Sequence, residues 1–122
     1  MIKMEWITKQ YYRRKNCLHD VSVSVNGNSK DKHGYRTSFA FRNNCHKKVS
    51  INDYIVIGFT GTRVYFKNAP KETGFHLFSR DKDGGTVYRV AITGKYDGFI
   101  GDYDLLFDNE NGLWYIDSEL KK

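Results

Sequence analysis

Apolar and polar positions alternate along much of this chain with a period of two, the signature of strands half buried against a core. The clearest stretch places Cys17, His19, Val21, Val23 and Val25 on one face and Leu18, Asp20, Ser22 and Ser24 on the other. It ends at Asn26-Gly27-Asn28, a turn signal, and the polar residues up to Gly34 predict a long hairpin loop. Further strands are predicted at Tyr35 to Arg42, Tyr54 to Phe59, Thr62 to Lys67, Gly74 to Ser79, Val87 to Thr93, Tyr103 to Phe107 and Leu113 to Asp117. Turn residues separate them: Thr60-Gly61, Asp83-Gly84-Gly85 and Asn109-Glu110-Asn111-Gly112. Short strands at such spacing predict a mainly β, single-domain antiparallel sandwich or partly open barrel of short hairpins over residues 1–122. The amino terminus fits two patterns. Met4, Ile7 and Tyr11 align for a short helix, whereas Ile2, Met4 and Trp6 align for a strand.

Composition agrees with this reading. Nine Tyr, eight Phe and two Trp accompany a single Pro, an aromatic supply sufficient for a core. The longest apolar run, Tyr54 to Phe59, is far short of the roughly 20 residues of a membrane-spanning helix. Lys3 and Glu5 interrupt the place where a secretory signal would need continuous apolar residues, so the expected location is the cytoplasm.

The net charge of +6 is unevenly spread. Residues 1–48 carry +8 and the remainder −2, with seven acids and no Lys or Arg between Asp97 and Glu119. A basic front half attracts nucleic acid, anionic lipid or an acidic protein surface. Within it, Tyr11-Tyr12-Arg13-Arg14-Lys15 interleaves rings with cations, and Arg42, Lys47 and Lys48 add charge beyond the first hairpin. The combination suits base stacking with phosphate neutralisation, a protein interface, or an amphipathic strand whose tyrosines face the core.

Only two cysteines exist, and each has a histidine beside it: Cys17-Leu18-His19 and Cys45-His46. Four such ligands make a complete tetrahedral set for a structural zinc. Two unconnected buried thiols, or a Cys17–Cys45 disulfide, are the alternatives that the spacing leaves open. Asp102 and Asp104 would share one strand face and suit either magnesium or solvent. No phosphate loop, nucleophile elbow or His-Glu-Xxx-Xxx-His motif occurs, and the expectation is a binding protein, not an enzyme.

Taken together, Phe41-Arg42-Asn43-Asn44, Tyr54 through Phe59, Val64-Tyr65-Phe66, Gly74-Phe75-His76-Leu77, Gly94-Lys95-Tyr96 and Trp114-Tyr115-Ile116 resemble the small accessory proteins encoded by phages of Gram-positive bacteria. Among these the chain is similar to the type II anti-CRISPR inhibitors. That resemblance implies stoichiometric binding to an RNA-guided type II CRISPR nuclease, blocking DNA loading or activation. Many such inhibitors are acidic DNA mimics, and the +6 charge departs from that pattern. A small β-fold regulator that binds nucleic acid through the basic aromatic segment is the second expectation.

Overall fold

The computed structural model describes residues 19–27, 30, 34–42, 45, 49, 51–82 and 85–122, leaving aside the side chains of 79–82 and 85–86. Alternation becomes pairing at once. Strand β1 (Val21–Gly27) pairs antiparallel with β2 (Tyr35–Phe41), and β3 (Tyr54–Thr60) with β4 (Arg63–Asn68). The remaining strands are β5 (Phe75–His76), β6 (Phe78–Lys82), β7 (Gly85–Thr93), β8 (Gly101–Tyr103), β9 (Leu106–Asp108) and β10 (Leu113–Asp117). They form two five-stranded antiparallel sheets, ordered β6-β7-β2-β1-β8 and β5-β3-β4-β10-β9. The sheets pack as a sandwich, and no closed barrel forms. Among the described residues, no helix is long and apolar enough to cross a membrane.

The core lies where the inner faces meet. Val21, Phe39 and Phe41 of the first sheet and Ile55, Val64 and Ile116 of the second are fully buried in one cluster. Phe66 bridges the layers, meeting Phe39 edge-on at 5.6 Å and Phe41 at 5.1 Å. Such geometry adds about 0.5–1.5 kcal/mol per ring pair beyond simple burial. Thr37, also fully buried, accepts a bond from Tyr96 N–H and donates to the Gly94 carbonyl, fixing the connection after β7.

Three details correct the sequence reading. The first strand begins at Val21, because Asp20 forms a bend whose carbonyl accepts bonds from Arg42 N–H and the Cys45 thiol. The β3–β4 turn is Gly61-Thr62, shifted by one residue from Thr60-Gly61. The Thr60–Arg63 pairing sets that position, and Gly61 takes the left-handed φ of +59° that the turn requires. Two predicted strands are each split between the sheets. Gly74 to Ser79 breaks at Leu77, which turns into the core and donates its N–H to the Asp53 carbonyl at 2.7 Å. Tyr103 to Phe107 breaks at Asp104-Leu105, where Leu105 N–H finds the Asp20 carboxylate at 3.1 Å. At both corners the freed N–H has a partner, so the chain changes sheets without leaving that donor unsatisfied.

Candidate functional site

Strands β4 and β10 occupy the middle of the second sheet, and their alternation sends side chains to two different layers. Val64, Phe66, Trp114 and Ile116 share the inner side through the Trp114–Phe66 and Ile116–Val64 pairs. Arg63, Tyr65, Tyr115 and Asp117 therefore share the outer side. One transverse row on that side runs Gly58, Tyr65, Tyr115, Leu106. Val56, Lys67 and Leu113 belong to the same surface.

The two tyrosine rings lie 5.4 Å apart. The Arg63 guanidinium sits over the Tyr115 ring at 4.3 Å and donates to the Tyr65 hydroxyl at 3.0 Å. The Tyr65 hydroxyl donates in turn to Asp108 at 2.9 Å. Ion pairs at 3.6 Å join Arg63 to both Asp108 and Asp117. Asp108 also organises the loop before β10, accepting from Glu110 N–H and from the Asn111 backbone and side chain. The bond from the Asn111 side chain, then that from Tyr65, lowers the Asp108 pKa below its ordinary value. The Tyr65 bond is the leading cause that raises the Arg63 pKa. Arg63 and Asp108 thus hold the two tyrosines in place. A solvent-facing antiparallel surface is ordinarily polar. This one adds Tyr65, Tyr115, Val56, Leu106 and Leu113 to the charged Arg63, Lys67, Asp108 and Asp117, and Tyr and Arg are the types enriched at protein contact surfaces.

The sequence-predicted residues are placed as follows. Arg42 follows β2, and its Nε donates to Ser22 Oγ at 3.2 Å, which donates to Asp102 at 2.7 Å. Asp104 instead pairs with Lys122 at 3.0 Å, so the two aspartates have separate partners. Tyr11, Tyr12, Arg13, Arg14, Lys15, Lys47 and Lys48 lie outside the described residues. Of the four zinc candidates, His19 and Cys45 are described, whereas Cys17 and His46 are not. Cys45 is buried, and its thiol donates to the carbonyl of Asp20, the residue after His19, at 3.3 Å. Both described members therefore belong to the same end of the first sheet. Among the described residues, no three His, Cys, Asp or Glu side chains gather as a metal site.

The sequence reading missed the Tyr65–Tyr115–Arg63 array. Its signal is the pair of aromatic dipeptides Tyr65-Phe66 and Trp114-Tyr115, each sending one ring inward and one outward. No protein-family model, curated protein or solved structure matches the chain.

Proposed function

We propose that the chain acts by stoichiometric binding to a protein partner through the outer side of the second sheet. The partner proposed is an RNA-guided type II CRISPR nuclease, whose DNA loading or activation the complex blocks. One observation carries the binding reading: Tyr65 and Tyr115 lie half-buried on the outer side of the sheet, with their rings held by Arg63, Asp108 and Asp117. Ordering such side chains in advance reduces the entropy lost on association. The choice of partner rests on the resemblance of the sequence, in its aromatic segments and its small size, to type II anti-CRISPR inhibitors.

In this account the basic segment Tyr11 to Lys15, with Arg42, Lys47 and Lys48, steers the encounter, since a basic field speeds association with an acidic surface. A zinc held by Cys17, His19, Cys45 and His46 would staple the fold rather than activate water, because protein ligands fill its coordination. The test is a cleavage assay in which guide-loaded nuclease is titrated with the protein. Loss of cleavage at equimolar protein is expected. Uninhibited nuclease, together with a gel shift of random DNA and RNA that fades steeply with salt, would overturn the proposal in favour of nucleic-acid binding.

A further inference from the structure

Strand β3 pairs with β4 along Ile55 to Thr60 but with β5 only through Tyr54 and Ile55. Hydrogen bonding alternates along antiparallel strands. The bonds from Ala69 N–H to the Tyr54 carbonyl and from Leu77 N–H to the Asp53 carbonyl set the phase. Tyr54, Val56, Gly58 and Thr60 direct their backbone groups to β4, and Ile55, Ile57 and Phe59 direct theirs away. β5 takes up Ile55. The N–H and C=O groups of Ile57 and Phe59 face an edge that no described strand pairs, and no described residue bonds them. Nothing in Val56-Ile57-Gly58-Phe59-Thr60 blunts that edge, which has neither proline nor charge.

Gly58 sits at its centre without a reason internal to the fold. Its φ lies outside the left-handed region, and a Cβ built there would meet no atom within 4 Å. Tyr65 stands opposite, yet its hydroxyl is drawn to Asp108, and its ring leaves the space over Gly58 open. A glycine inside a strand weakens it, and a bulge, a bend or the close approach of another chain is the usual reason for one.

We propose that the edge of β3 at Ile57 to Phe59 receives an extended strand of the protein partner, which lays a large side chain across Gly58 toward Tyr65. Gly58 would occupy a non-hydrogen-bonded position of the new pairing, where cross-strand side chains approach most closely. On the core side, exposed Phe75 and Tyr96 flank the edge, the latter stacked on Phe59 at 4.4 Å, so the strand is apolar at alternate positions. On the outer side Arg63 is already paired with Asp108 and Asp117, whereas Lys67, opposite Val56, is exposed, so the strand carries a carboxylate within reach of Lys67. A second copy of this hairpin would bring another Lys67 and no carboxylate from residues 54–69, which argues for a different chain. The inference rests on the protein-binding reading above.

The probe is a capped synthetic peptide with Val at alternate positions, Tyr at the centre of its other face and Glu at both ends. Binding to the isotope-labelled full chain is followed by amide hydrogen exchange. Saturable binding that slows exchange at Ile57 and Phe59 is expected, as is its loss when the peptide amide facing β3 is N-methylated. Gly58→Ile should melt no lower than the parent, since the new side chain enters open space and suits a strand. It should bind the Tyr peptide at least tenfold more weakly, while a peptide with Ala at its centre binds both proteins alike. The inference is overturned by absent protection at millimolar peptide, by equal affinity of the Gly58→Ile protein, by a marked fall in its melting temperature, or by a dimer of the free chain formed through this edge. Failure of the peptide alongside intact nuclease inhibition would remove the edge inference alone. Peptide binding without nuclease inhibition would remove only the choice of partner.

Discussion

Replacing Tyr103 with Phe should change stability with a sign that depends on pH. Tyr103 is 1% exposed, and its hydroxyl donates to the Phe99 carbonyl at 2.6 Å. Tyr103→Phe keeps the ring and leaves that carbonyl without its donor, a loss of about 1–2 kcal/mol at neutral pH. For a chain of this size the melting temperature should fall by about 4 °C per kcal/mol. Burial, assisted by the charge of Asp117, pushes the Tyr103 phenol up to about 12. In the unfolded chain it ionises near 10. Because the folded value is the higher one, the stability held by the protonated phenol is complete below pH 10 and is lost as pH rises through 12. The two-unit difference corresponds to about 2–3 kcal/mol. The Tyr103→Phe variant lacks this loss, so the parent's advantage at pH 7 should shrink above pH 10 and approach zero or reverse near pH 12. Urea unfolding of both proteins between pH 7 and 12, followed by tryptophan fluorescence, measures the gap. A gap unchanged across that range would refute the buried, hydrogen-bonded phenol.

Protein prepared without chelator should contain about one zinc per chain by elemental analysis, and Cys45→Ser should lower its melting temperature, since metal binding is coupled to folding in small domains. Metal below half an equivalent, or an unchanged melting temperature, would count against the site. Reversing Arg13, Arg14 and Lys15 to Glu takes the net charge from +6 to about zero. The circular dichroism spectrum should persist, while association with the nuclease slows and loses its salt dependence in stopped-flow measurements. Unaltered association kinetics would remove the steering role.

Most hairpins were legible because Val21, Val23, Phe39 and Phe41 alternate with polar or small neighbours, even in β2, where Ser38 and Ala40 are buried as well. The two sheet changes were not. Leu77 and Leu105 continue the local alternation, and what breaks each strand is a distant partner, the Asp53 carbonyl or the Asp20 carboxylate, which no periodicity encodes. The site was hidden for a related reason. Tyr65 and Tyr115 read like further core aromatics until pairing fixes which face each occupies, and Arg63 and Asp108 are joined through Tyr65 across three strands. The basic cluster, by contrast, stands out in sequence because charge needs no register to be seen.

The central claim is that Tyr65 and Tyr115 supply the binding energy of a one-to-one complex. Titration calorimetry of guide-loaded type II nuclease with the parent and with the Tyr65→Ala, Tyr115→Ala double variant tests it most directly. The account predicts unit stoichiometry for the parent and a loss of about 2 kcal/mol or more, roughly 30-fold in affinity, for the variant. Equal affinity of a correctly folded double variant, or the absence of any complex, would contradict it.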